Sequence, residues 1–243
     1  MAEKSSVVAL LLAAGSGVRL KSPVPKAFVQ LRGATLLQRS AKTLAESPSI
    51  DQIVVALPPD LTADHPLRAS LPSGVTAVAG GPTRSQSVAS ALAAAAHSEV
   101  VLVHDAARPL LSVALVEAVL QALRLGDVDG AIAAVPLTDT LKLAAAAQDG
   151  GPPPPQSLPL VAATIPREGL FAVQTPQAFL RRALARALAQ PPEVLAQATD
   201  DASLIEGIGG RVVLVPSFAG NIKITTEEDL KLASALLCAL QRD

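Results

Sequence analysis

The residues best suited to chemistry lie in three separated stretches. The first is Leu11-Leu12-Ala13-Ala14-Gly15-Ser16-Gly17-Val18-Arg19-Leu20, followed by Pro25-Lys26. An apolar run delivers the chain to small residues, whose backbone N–H groups can approach phosphate oxygens closely. Arg19 and Lys26 then bring positive charge, one as a planar fork and one as a point charge. A tight strand-to-loop turn with solvated cations is the plainer alternative; the two added cations favour phosphate. The loop lacks the ending of a Walker A motif and the third spaced glycine of a dinucleotide fingerprint.

The second stretch is His104-Asp105-Ala106-Ala107-Arg108-Pro109, at the end of the apolar run Val100–Val103. Open parallel sheets bind ligands beyond the carboxyl ends of their strands. Asp105 is therefore expected near the glycine loop, where a carboxylate can hold Mg²⁺ and the ion can bridge phosphates. His104 reads as a structural hydrogen-bonder. Arg108 fits a substrate phosphate and an acidic partner equally. Arg84, in the first turn of a helix, is badly placed for an unpaired cation and is expected to face a ligand or the Asp105 loop. The third stretch, Asn221-Ile222-Lys223-Ile224-Thr225, carries Lys223, on its own an ordinary surface cation.

Apolar runs alternate with helical patterns, the signature of a parallel α/β sheet. Strands are expected at Val7–Leu12, Ile53–Leu57, Val75–Ala79, Val100–Val103, Ala131–Val135 and Val212–Val215. Helices are expected at Thr35–Glu46, Thr83–Ala96, Leu115–Leu125, Gln177–Ala189, Asp201–Glu206 and from Thr225 to about Leu240. Thr83/Gln86 and Thr225/Glu228 have the spacing of capping boxes, and Thr199-Asp200-Asp201 reads as a helix start, with support of the site residues from behind as the lesser alternative. Thr138–Ala146 and Leu160–Ile165 look like strands of an arm, separated by a Gly/Pro-rich stretch.

The chain of 243 residues is half hydrophobic, with 17% charged residues, no Trp, no Tyr and four Phe, so Ala, Leu and Val must fill the core. Twenty basic and 21 acidic residues give a net charge of −1, and no basic tract is interleaved with aromatics, which argues against a nucleic-acid partner. The single Cys238 excludes an internal disulfide and suits helix packing. The apolar run at Val7–Ala14 is too short to span a membrane and lacks the layout of a signal peptide. The expectation is one cytoplasmic domain over residues 1–243.

Together these segments resemble the 2-C-methyl-D-erythritol 4-phosphate cytidylyltransferases of the non-mevalonate isoprenoid pathway. The resemblance runs through LLAAGSGVRL (11–20), PKAF (25–28), GGPTRSQSV (80–88), VHDAARP (103–109), PLTDTLK (136–142), TIPREGLF (164–171), QTPQAF (174–179), TDDASL (199–204) and NIKIT (221–225). Each segment is weak alone; nine in order are specific. The resemblance implies a Rossmann-like nucleotidyltransferase fold, with a mostly parallel central sheet flanked by helices and a projecting β-arm at about 138–166. It implies a homodimer whose arm reaches the partner's active site, CTP as co-substrate, and Mg²⁺ or another divalent cation. Arg19 and Lys26 become transition-state stabilisers, and Asp105 the metal ligand. Arg167 and Lys223 would position the polyol phosphate, with Thr140 and Arg108 as further contacts. Ala13, Ala14, Gly15, Gly17, Gly81, Ser87 and Ala106 would line the nucleotide pocket. The insertion at about 149–159 and Pro166, directly before Arg167, depart from the family pattern. Ribitol-5-phosphate cytidylyltransferases, nucleotidyltransferases acting on sugar 1-phosphates, and a non-catalytic nucleotide binder are the rivals.

Overall fold

The structure is a computed structural model that describes residues 6–15, 17–20, 22–61, 71, 73–95, 97–145 and 158–240. Ser16 and most of the insertion at 149–159 lie outside the described residues. The strands are β1 (Val7–Leu12), β2 (Gln30–Leu31), β3 (Ala34–Thr35), β4 (Gln52–Leu57), β5 (Val75–Ala79), β6 (Val100–Asp105), β7 (Gly130–Pro136), β8 (Leu141–Ala144), β9 (Val161–Ile165), β10 (Phe171–Leu180) and β11 (Val212–Pro216). The helices are α1 (Leu36–Glu46), α2 (Arg84–Ala94), α3 (Val113–Leu125), α4 (Arg181–Leu188), α5 (Pro192–Gln197), α6 (Asp201–Gly207) and α7 (Glu227–Leu240).

Seven strands form one sheet in the order β11-β7-β10-β6-β1-β4-β5, with β10 alone antiparallel to its neighbours. The period-two geometry of a strand explains why β1, covered on both faces, is apolar throughout. Val7, Ala9 and Leu11 pack on one face with Leu37, Leu44, Val116 and Leu120 of α1 and α3. Val8 and Leu10 point to the other face, with Val88 and Leu92 of α2, Leu184 of α4 and Leu204 of α6. Leu20, Leu31 and Leu36 make a smaller cluster with Ile224, just before the C-terminal helix, and Ala233 within it.

Local start signals set several helices. Thr83 and Gln86 form the expected reciprocal cap of α2, and Thr35 with Gln38 does the same for α1. Asp200 caps α6 by accepting from the Ser203 N–H at 2.9 Å. The last helix departs from expectation by one residue. Asp229 Oδ2 accepts from the N–H groups of Thr225 and Thr226, and Thr226 Oγ1 accepts from the Asp229 N–H. The box is therefore Thr226/Asp229, and α7 begins at Glu227. The short helix α5 has no counterpart in the sequence reading.

The larger correction is β10. A helix is expected over Gln177–Ala189, but residues 171–180 form a ten-residue strand and only Arg181–Leu188 is helical. The strand is fixed by both neighbours, with Gln177 opposite Val103 and Phe171 opposite Pro136. Pro176 lacks a ladder donor and falls in the register break between Val173 and Gln177. Phe179 is fully buried beside Gly130, where an added Cβ would stand 2.7 Å from its ring. No side chain caps the start of α4, so nothing local announces it.

Strands β8 and β9 pair with each other in a separate two-stranded ladder. Leu143 is 53% exposed on it and Val161 61%, with Leu160 just before β9 at 80%.

Candidate functional site

The carboxyl ends of β1, β4 and β6 open on one cleft. Ala13 leaves β1 with its N–H on the Ala56 carbonyl, Gly80 donates to Leu57, and Ala106 donates to Leu12. Gly80 has to be small: a Cβ there would lie 2.5 Å from Ala14 Cβ. Gly17 lies in the left-handed region at φ +64°, and a Cβ would collide with Lys26. That glycine lets the loop pass directly against Lys26, which begins the turn Lys26–Phe28.

A cavity of about 480 Å³ opens here, lined by Ala13, Ala14, Gly15, Gly81, Ser87, Lys26, Asp105 and Lys223, with Leu12, Ala27, Pro59, Pro82, Thr83, Arg84 and Ala107. A second cavity, of about 380 Å³, is lined by Arg108, Ile132, Val173 to Thr175, Gln177, Thr199, Asp200, Ser203 and Glu206. Arg84, Asp105 and Lys223 line both.

Asp105 is the centre of this shared wall. Lys223 Nζ stands 2.6 Å from its Oδ2, and Arg84 Nε 3.5 Å from its Oδ1. Arg84 Nη1 also pairs at 2.7 Å with Asp201, whose side chain is fully buried. Burial pushes the Asp105 carboxyl up, but the Arg84 and Lys223 charges outweigh it and hold the group well below the ordinary carboxylate range. Lys26 is held below its ordinary value, first by burial and then by the Lys223 charge. The cleft thus concentrates positive charge that an anion would relieve.

The supports of Lys223 and Asp105 are polar and buried. Asn221, fully buried, donates from Nδ2 to Gln174 Oε1 at 2.8 Å and to the Thr175 carbonyl at 2.9 Å. Arg108 Nη1 donates to the Asn221 carbonyl at 2.8 Å. Arg108 therefore braces the Lys223 segment through a backbone carbonyl while lining the second cavity.

The Asp105 N–H donates to Thr175 Oγ1, which leaves that hydroxyl to donate to His104 Nδ1 at 3.0 Å. His104 Nε2–H then donates to the Arg108 carbonyl at 3.2 Å. This is a neutral imidazole with both nitrogens engaged, and burial pushes its pKa down to about 4. The unfolded chain, with a histidine near its ordinary 6.5, binds more protons between those values. Stability should therefore rise with pH through that window and be lost as pH falls from about 6.5 toward 4. Urea unfolding should show a loss of roughly 2 kcal/mol between pH 7 and pH 5. His104→Gln should flatten that dependence; an equally steep slope in the variant would place its origin elsewhere.

Not every expected residue reaches the cavities. Ala106 is fully buried, its carbonyl accepting from Ser40 Oγ, and Ala107 takes its expected place on the wall. The Ala106 side chain lies in the core and its N–H donates to the Leu12 carbonyl. Gly17 sits beside Lys26 and lines neither cavity. Arg19 is exposed on the turn Val18–Leu20 and also lines neither, although its charge acts on Lys26. Thr140 and Arg167 lie at the arm, away from both cavities, and the Arg167 guanidinium donates to the Thr138 carbonyl. Sequence reasoning missed Gln174, Thr175 and Asn221, and read Asp201 chiefly as part of a helix start.

An open, mostly parallel sheet that brings a small-residue loop, a carboxylate and clustered cations to one cleft defines a phosphate-ligand-binding α/β protein. The family model for 2-C-methyl-D-erythritol 4-phosphate cytidylyltransferase matches residues 7–239. Enzymes of that name from Rhodococcus jostii and Chromobacterium violaceum are 43% and 42% identical, each over 96% of this chain and over 96% and 98% of their own lengths. The crystal structure of the Thermus thermophilus enzyme of that name matches with a TM-score of 0.73 at 35% identity, over 94% of this chain and 97% of that one. The chain belongs to the 2-C-methyl-D-erythritol 4-phosphate cytidylyltransferase family.

Proposed function

We propose that this chain transfers a cytidylyl group from CTP to 2-C-methyl-D-erythritol 4-phosphate, releasing pyrophosphate, in isoprenoid precursor synthesis by the non-mevalonate pathway. The observation that carries the reading is the shared wall: Arg84, Asp105 and Lys223 border two cavities at once. CTP occupies the larger cavity, against the loop 13–15, Gly81 and Ser87. The polyol phosphate occupies the smaller one, near Arg108. The two reacting groups then meet at the wall.

An oxygen of the acceptor phosphate attacks the α-phosphorus, and the bond to the pyrophosphate breaks in line with it. No covalent enzyme intermediate is needed, and no nucleophile–base pair of side chains is required. The obstacle is bringing two anions together. Lys26 sits on the nucleotide side and Lys223 on the shared wall, where each opposes the charge that builds up. Arg19 adds to that field from the loop edge. Lys223 and Arg108 hold the acceptor, a contribution of orientation.

The donor set fits a divalent cation. Mg²⁺ commonly takes one or two carboxylates, the rest of its shell being phosphates and water, and Asp105 faces both cavities with 11% of its side chain exposed. When bound, the ion would neutralise phosphate charge. For Asp105 to ligate it through Oδ2, Lys223 must move off that oxygen.

Thr140 and Arg167 complete an active site only by serving another copy, and the exposed Leu143, Leu160 and Val161 supply apolar surface for that contact. A homodimer through the arm follows, with a sedimentation mass twice that of the 24.7 kDa chain; a monomer at micromolar concentration would contradict it. Among the described residues no helix is long and apolar enough to cross a membrane, and a cytoplasmic setting suits a CTP-dependent reaction.

The deciding assay is pyrophosphate release from CTP with methylerythritol phosphate and ribitol 5-phosphate in parallel, with Mg²⁺ and with chelator. Turnover confined to methylerythritol phosphate and lost with chelator is expected. Dominant turnover on ribitol phosphate would reverse the choice of acceptor.

A further inference from the structure

We propose that Arg84 is a positioning residue for the transfer, clamped by the buried Asp201 so that it fixes the Asp105 carboxylate while Lys223 swings to an incoming phosphate. This rests on the reading of the two cavities as donor and acceptor sites.

Arg84 is the first residue of α2, the end where the helix dipole disfavours a cation. Its side chain is only 29% exposed, and two acids offset the cost: Asp201 at 2.7 Å and Asp105 at 3.5 Å. Asp201 is fully buried and occupies the first turn of α6, the favourable end for an anion. Its Oδ1 has no hydrogen-bond partner among the described residues, so Arg84 is the group that balances it. Asp201 lines neither cavity. Its influence on the reacting groups therefore passes through Arg84, which ties α2, α6 and the end of β6 together.

The two cations on Asp105 differ in freedom. Lys223 is a point charge on a flexible stem, 40% exposed, on an irregular segment before α7. Arg84 is a planar fork with two of its nitrogens engaged by acids. When phosphate draws Lys223 away, Arg84 keeps Asp105 in place.

The test compares wild type, Arg84→Gln, Asp201→Asn and the double variant by kcat, by KM for each substrate, by CTP affinity without acceptor, and by thermal midpoint. Arg84→Gln should lower kcat roughly 10²-fold, the scale of a lost preorganised donor, with a smaller loss, under about 10-fold, in CTP affinity. Asp201→Asn should lower kcat about 10-fold, and the double variant should match Arg84→Gln alone, because one residue acts through the other. The double variant also removes both charges together, so it leaves no unpaired buried ion where a single variant fails to fold.

The inference is overturned by a shifted thermal midpoint with kcat intact, by a loss carried mainly in KM for CTP with kcat within about 3-fold of wild type, or by a double variant showing the product of the two single losses. A wild-type chain with no turnover would overturn the functional reading, and this inference with it.

Discussion

Lys26→Ala should lower kcat by about 10²–10³-fold, the scale on which removal of one preorganised electrostatic donor acts. Lys26 lies in the larger cavity against the glycine loop, and both burial and the nearby Lys223 disfavour its charge when no anion is present. A triphosphate reverses that balance, so binding should raise the Lys26 pKa back toward its ordinary value. The loss should fall mainly on kcat, because charge on the α-phosphoryl oxygens grows as the reaction proceeds. Lys26→Arg should recover little, because a planar fork does not reproduce the compact point charge of the ammonium. Steady-state kinetics at saturating acceptor, with CTP affinity measured separately, checks this. An Ala variant within 5-fold of wild type in kcat would remove Lys26 from the chemistry.

What could be read in the sequence follows the range of the interactions. The caps at Thr83/Gln86 and Asp200/Ser203 are three-residue events, visible as residue types at fixed spacing. The buried strands β1 and β6 are visible because parallel strands covered on both faces are apolar throughout. β10 was hidden because its run mixes Gln174, Thr175, Pro176 and Gln177 with apolar residues, and only its pairing with β6 and β7 makes it a strand.

The site divides the same way. The small residues and Asp105 sit at strand ends, and with Lys26 on the loop that follows β1 they were legible from chain order. The Arg84–Asp201 pair joins residues 117 apart, and the Asn221–Gln174 bond residues 47 apart. Neither has a local spacing to reveal it. Thr140 and Arg167 were named through the family resemblance and Arg19 from the loop itself, and the geometry of a single chain leaves all three outside both cavities.

Asp105→Asn should separate binding from turnover. Asp105 is the acid to which both Arg84 and Lys223 are paired on the shared wall. Replacing it by the neutral isostere leaves Lys26, Arg84 and Lys223 with less compensation in one cleft, so a CTP polyanion should bind in the absence of metal at least as tightly as to wild type. Turnover should nevertheless fall by about 10²–10³-fold, since the carboxylate proposed to hold the cation is gone and Lys223 has lost its resting partner. The folded state should lose stability without nucleotide and regain it with CTP, because a ligand that binds only the native state stabilises it. Wild type would show the smaller CTP-dependent rise in thermal midpoint under metal-free conditions. Calorimetric titration with CTP and chelator, beside turnover with Mg²⁺, reads both halves. Weakened metal-free CTP binding in the variant would mean that Asp105 orders the pocket rather than balances its charge, and the electrostatic account of this cleft would fail there.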